Sequence, residues 1–181
     1  MLRIINMANK TKITLAHGSG GKLTHELVRQ LFLPHFNNPA LSPLGDSAIL
    51  QIAGVKFAFT TDSYVVKPLF FPGGDIGKLA VCGTINDLAV AGAKPLYLSA
   101  GFIIEEGFEM SLLEKIVLSM RETAASAGVD IVTGDTKVVE RGNVDNIYIN
   151  TSGIGAVVDG INLSLSSITA GDKIIVSGDV G

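Results

Sequence analysis

The stretch AILQIAGVKFAFTT, residues 48–61, decides the fold class. Apolar side chains alternate on both sides of Gly54, with Ile49, Phe57 and Phe59 at strand spacing, and a period of two across a turn glycine predicts a β-hairpin. A hairpin makes its two strands antiparallel, so the sheet it seeds departs at once from the all-parallel pattern.

Downstream, FFPGGD is turn-forming, and Ile76–Ala91 is rich in Ala and Leu, with Asp75 as N-cap and an end at Gly92 before Pro95. That pattern predicts a buried helix. LYLSAGFII, 96–104, reads as a strand. Ser111 with Glu114 makes a capping box that opens a helix closed by Gly128, with Leu112, Leu113, Ile116, Val117 and Met120 at amphipathic spacing. VDIVTGDTKVV and NIYINTSGIGAVV, 146–158, read as two more strands joined by a hairpin-like turn, RGNVDN. The order hairpin, helix, strand, helix, hairpin lacks the alternation of a parallel α/β fold. It predicts an α+β layer: a mostly antiparallel four-stranded sheet with two long helices on one face.

The ends are less regular. HGSGGK, 17–22, is too glycine-rich to hold one shape without a partner and reads as the end of a mobile arm. Leu23, Leu27, Leu31 and Phe32 predict a short helix over Leu23–Phe36, closed by Pro34 and Pro39. A new element is expected at Ile174, and the chain looks cut at Gly181, just after the strand-like run KIIVSGDVG.

Composition narrows the function. The net charge of −3 comes without a basic run, which argues against nucleic acid or an anionic membrane as the main partner. No segment approaches ~20 uninterrupted apolar residues. One cysteine, Cys82, rules out an internal disulfide framework, fits a reducing compartment, and is read as a small core residue of the apolar helix. The expectation is a cytoplasmic protein.

Four aspartates share a context of Gly, hydroxyl or apolar neighbours: Asp46, Asp62, Asp87 and Asp135. Converging carboxylates repel unless a cation lies between them, and hard oxygen ligands suit Mg²⁺ bridged to phosphates. Each alone could equally cap a turn, except Asp87, which stands inside an apolar helix with no turn to cap. Asp135 and Lys137 interrupt the apolar run IVTGDTKVVERG, 131–142, which reads as buried, and period two puts them on one face. They could form a structural ion pair or together bind a metal and its phosphate. HGSGGK fails the P-loop pattern, since Leu23 follows Lys22, yet backbone N–H groups at Gly20 and Gly21, with Lys22, could fold over phosphates.

HGSGGK, TTDSYVVKPLFFPGGDIGKLAVCGTINDLAVAGAKP and TGDTKVVERG together resemble the HypE family of hydrogenase maturation proteins, in the ATP-binding superfamily that includes aminoimidazole ribonucleotide synthetase. The resemblance implies a homodimer whose sheets pair into a barrel, with ATP and Mg²⁺ in nearby clefts. It implies ATP-dependent dehydration of a carboxamide, carried on a C-terminal cysteine, to a thiocyanate. The carbamoyl donor would be the carbamoyltransferase HypF, and the cyanide would pass to a HypC–HypD complex for nickel–iron hydrogenase assembly.

Carried over by position, Asp46, Asp62, Asp87 and Asp135 match ATP and metal positions, Lys137 a catalytic lysine, and Asn86 and Thr136 further nucleotide contacts. Asp87 would orient or deprotonate the reacting amide. The resemblance divides the chain into an arm at 1–22, an ATP-binding and dimerisation domain at 23–170 and the start of a truncated C-terminal domain at 171–181. A chain ending at Gly181 without the reactive cysteine is expected to be inactive alone. The rival readings are another enzyme of the superfamily, such as a selenophosphate synthetase or a thiamine-phosphate kinase, or a non-catalytic dimerisation and docking module. A selenophosphate synthetase would carry a cysteine or selenocysteine near HGSGGK, and none is there.

Overall fold

The computed structural model describes residues 12–161, 163, 167–176 and 178. They fall into two compact units divided between Leu44 and Gly45. The expected arm before Lys12 and positions 177 and 179–181 of the final run lie outside the described residues.

In the first unit a 3₁₀ turn, Leu15–His17, precedes α1 (Lys22–Leu27), a π-helical stretch Val28–Phe32, and α2 (Leu33–Phe36). Pro34 therefore does not close the helix as expected. It stands in the first turn of α2, where its missing N–H costs least, and the wider π stretch just before it absorbs the irregular hydrogen bonding.

The second unit is built on β1 (Ala48–Ile52), β2 (Val55–Tyr64), β5 (Ala93–Glu105), β6 (Asp130–Val139) and β7 (Ile147–Val157), in the order β1-β2-β7-β5-β6. A separate small hairpin pairs β3 (Phe70–Phe71) with β4 (Gly74–Asp75). The sheet is mostly antiparallel, but it has five strands where four were expected. The expected hairpin at RGNVDN is also absent: β6 pairs parallel with β5, and β7 runs between β2 and β5. The central slot goes to β7 because its alternate residues Ile147, Ile149 and Thr151 are fully buried, whereas β6 is exposed along nearly its whole length.

Helices α3 (Ile76–Val90) and α4 (Met110–Ser126) cover one face. Asp75, buried, caps α3 by accepting from the N–H groups of Gly77 at 2.7 Å and Lys78 at 3.2 Å. The expected capping box at Ser111 is not made; Glu109 is the N-cap of α4, without a side-chain bond. Ile76, Ala80 and Val81 of α3 interlock with Ile116, Met120 and Ala124 of α4 and with Leu98, Ala100, Ile147 and Ile149 of the sheet. Glycine sets the spacing: a Cβ on Gly77 would fall 2.6 Å from the Ile116 carbonyl oxygen, and one on Gly153 would fall 2.9 Å from Leu88 Cδ1. Residues 172–176, where a new element was expected, carry no regular structure.

Candidate nucleotide and metal site

Strand alternation sorts the charged candidates before any distance is measured. On β2, Thr60, Asp62 and Tyr64 share the helix-covered face with buried Ala58. Asp46 lies just ahead of β1, and Asp87 occupies the last turn of α3. Three elements thus deliver three carboxylates to one region.

Thr60 fixes their geometry. Its Oγ1, buried at 5% exposure, stands 2.9 Å from the Asp46 carbonyl oxygen and 3.0 Å from Asp87 Oδ2, sharing one proton between two acceptors. Ser47 Oγ donates to the Asp87 carbonyl oxygen at 3.0 Å, which ties the start of β1 to the end of α3. Burial raises the Asp87 pKa above the usual carboxylate range; the Thr60 bond opposes the rise, and the charges of Asp62 and Asp46 add to it. A carboxylate at a helix C-terminus also meets the negative end of the helix dipole. The ionised Asp87 is thus held in an unfavourable field.

Asp62 is held differently. Tyr64 Oη donates to Asp62 Oδ2 at 3.0 Å and lies 3.4 Å from Thr84 Oγ1. Behind it, Thr84 and Thr151 are fully buried and hydrogen-bonded to each other, and Thr151 Oγ1 donates to the Ala80 carbonyl oxygen at 3.0 Å. The Tyr64 pKa is pushed up to about 12, by burial first; the Thr84 contact works against the rise, and Asp62 and Asp87 add to it.

Among the described residues, no group of three or more His, Cys, Asp or Glu side chains could hold a metal ion by itself. Magnesium is usually held by one or two carboxylates plus waters and phosphate oxygens. The donors are hard oxygens, and the repulsion felt by Asp87 is one that a cation would relieve. The residues fit such an ion.

Asp135 and Lys137 are not part of this cluster. In the sheet register Asp135 stands beside Gly101 and Lys137 beside Ile103, on the face that the helices leave open, and three strand positions from β2. They do share one face, as the spacing predicts. The expectation of burial is corrected: β6 is an edge strand with Val132 59% and Val138 62% exposed, so its charges cost little in desolvation. Neither charge joins an ion pair or side-chain hydrogen bond among the described residues. Thr136, between them, faces the helix side with Phe102. Asn86 is exposed next to Asp87.

The glycine-rich segment belongs to the first unit. Gly20 takes a positive φ of 75° and its N–H donates to Thr24 Oγ1 at 3.0 Å; Gly21 is the N-cap of α1. Lys22 Nζ is 3.9 Å from Glu26 Oε1. Cys82, expected in the core, is half-buried at the rim of an open cleft of about 180 Å³ lined by Phe71, Leu79 and Lys78.

Thr60, Tyr64, Thr84 and Thr151 escaped the sequence reading. The run TTDSY carried a signal, since a period of two puts Thr60, Asp62 and Tyr64 on one face. The partners Thr84 and Thr151, from a helix and a distant strand, left none.

Residues 44–157 match the model of the family described as "AIR synthase related protein, N-terminal domain". The chain is 55% identical over 174 residues to carbamoyl dehydratase HypE of Escherichia coli K12, covering 93% of this chain and 52% of that protein. Among solved structures, one of a HypE–HypF complex matches with 59% identity and a TM-score of 0.70, over 74% of this chain and 43% of that one. One of HypE in complex with ATP matches with 56% identity and a TM-score of 0.57, over 81% and 44%. The chain spans about half the length of the curated relatives it matches.

Proposed function

From the premise that this chain belongs to the AIR synthase related family, whose N-terminal domain it contains, we propose that it binds ATP for a carbamoyl dehydratase of hydrogenase maturation. The observation that carries the proposal is the meeting of Asp46, Asp62 and Asp87 from three elements, in a chain more than half identical to a named carbamoyl dehydratase.

In the proposed reaction, the oxygen of an S-carboxamide cysteine attacks the γ-phosphorus of ATP and ADP leaves. Loss of phosphate and of the amide protons then leaves the thiocyanate. Asp62 and Asp87, with Asp46 close by, would hold magnesium, which when bound offsets charge on the phosphate oxygens. Asp87 would orient or deprotonate the reacting amide. Asn86 and Thr136 would add nucleotide contacts, and Gly20, Gly21 and Lys22 would cover the phosphates.

Asp135 and Lys137, on the other face of the sheet from Asp62 and Asp87, would meet the nucleotide only where its phosphates reach round the β6 edge, and there Lys137 would offset phosphate charge. The open sheet face exposes Phe59, Tyr97 and Ile103 at 43%, 49% and 42%, and an apolar face of that kind suits pairing with its own like. In a homodimer closed through that face, Asp135 and Lys137 point into the pairing surface. HypF as carbamoyl donor, a HypC–HypD acceptor and a cytoplasmic setting belong to the same reading.

Calorimetric titration of ATP with and without magnesium tests the site. Magnesium-dependent binding is expected, lost in Asp62→Asn; ATP binding unchanged by that substitution overturns it. Mass spectrometry of a carbamoylated cysteine incubated with the protein and ATP tests the chemistry, through loss of one water.

A further inference from the structure

Of the carboxylates in the cluster, Asp62 alone is backed by a chain of buried hydroxyls. Proton counting along that chain is decisive. The Ala80 carbonyl oxygen can only accept, so the Thr151 proton goes to it, at 3.0 Å. Thr84 must then supply the proton between itself and Thr151, because the Thr151 proton is spent. With the Thr84 proton used in turn, the Tyr64 hydroxyl receives none from Thr84 and has its own free to give. The acceptor within reach is Asp62 Oδ2 at 3.0 Å, closer than Thr84 Oγ1 at 3.4 Å.

The space for this hydroxyl is built in. A Cβ on Gly83 would lie 2.2 Å from Tyr64 Oη and 3.0 Å from its Cζ, so a glycine in the middle of α3 is what lets the ring lie against the helix. Glycine there gives up helix propensity relative to alanine.

We propose that Tyr64 is a positioning residue for Asp62: its hydroxyl, seated on Gly83, holds the carboxylate in the rotamer that presents Oδ1 to a magnesium–phosphate group. The inference rests on the nucleotide-site reading above and deepens it. With Oδ2 occupied by a neutral donor, Asp62 offers one oxygen to the cation and keeps its full charge. A carboxylate without that donor would be free to turn.

The test compares Tyr64→Phe with Asp62→Asn and with Tyr148→Phe, which removes a hydroxyl from the opposite sheet face, in the protein that carries this chain. Magnesium–ATP affinity is read by calorimetry as a function of magnesium concentration. Tyr64→Phe keeps the ring and the Thr84–Thr151 pair, so the fold should survive, as circular dichroism would verify. The expected result is about a tenfold rise in the magnesium concentration needed for half-maximal ATP binding in Tyr64→Phe, within the range known for outer partners of metal ligands, with no change in Tyr148→Phe. If Asp62→Asn abolishes binding while Tyr64→Phe matches the native protein, the positioning role is overturned and the site stands. If Asp62→Asn also binds normally, the site itself is wrong, and the positioning role falls with it.

Discussion

Thr60 Oγ1 lies 3.0 Å from Asp87 Oδ2 while remaining 2.9 Å from the Asp46 carbonyl oxygen, so one buried hydroxyl joins the last turn of α3 to the segment that enters β1. Strand, helix and loop converge on a single proton. That convergence concentrates the consequences of mutation at two residues.

Asp87→Asn should separate function from stability. The folded-state pKa of Asp87 is raised, so its folded state holds a proton more tightly than the unfolded chain. Stability is then greatest below the ordinary carboxylate pKa, falls as pH rises through the raised folded value, and stays reduced above it. Asparagine keeps an acceptor for Thr60 and removes the charge. The variant should melt higher than the native protein at neutral pH, by roughly 0.5–2 kcal/mol, and should lose the upward shift that magnesium–ATP gives the native melting curve. A variant that melts lower at neutral pH would show that the charge is compensated in the free protein.

Thr60→Val tests the other half of the pair. Valine fills the same volume but gives no proton, leaving the Asp46 carbonyl and Asp87 Oδ2 without their donor. Losing one hydrogen bond at part-buried acceptors costs about 0.5–1.5 kcal/mol, measurable as a lowered urea midpoint at unchanged slope. The Asp87 pKa should also climb further, since the Thr60 bond is what opposes its rise. Carbon-detected NMR of the side-chain carboxyl would follow it, and an unmoved titration would deny the bond its role.

Much of the layer was legible because the hairpin around Gly54 and the alternation of β7 are local patterns, each carried by a short run of residues. What stayed hidden was non-local. The sequence TGDTKVV looks equally apolar on a central or an edge strand, so only the pairing of β6 to β5 alone reveals that Asp135 and Lys137 are exposed. Asp62 and Asp87 could be suspected from their neighbours, since an acid inside an apolar helix needs a reason. Thr84 and Thr151 could not be suspected, because threonine in a core is ordinary until its partner, 67 residues away, is known.

Gly153→Ala should loosen the layer beneath the site. Its Cβ would come 2.9 Å from Leu88 Cδ1 and Thr84 Cγ2 and 3.0 Å from Leu98 Cδ2, contacts from a helix and a neighbouring strand at once. No single rotamer change relieves all three. Overpacking of this kind costs typically ~1–3 kcal/mol, read as a lowered melting temperature, and nucleotide affinity should fall with it because Thr84 is displaced. Unchanged stability would mean that α3 can ride up on the sheet freely.

The open sheet face yields the remaining prediction. Phe59 and Ile154 stand side by side across β2 and β7, Tyr97 follows on β5, and Ile103 lies further along the same strand, all on the side without helices. A band of hydroxyls and an amide interrupts them: Asn150 Nδ2 donates to Ser63 Oγ at 3.1 Å, and Ser152 Oγ donates to Thr61 Oγ1 at 2.9 Å. Polar groups satisfied within their own sheet can be covered by a second copy without loss, whereas a new charge beside Phe59 cannot. Light scattering should therefore give a dimer for the native protein and a folded monomer for Phe59→Glu, with circular dichroism unchanged because the residue faces away from α3 and α4. A native protein that is monomeric at high micromolar concentration, or a Phe59→Glu variant that remains dimeric, would place the pairing surface elsewhere.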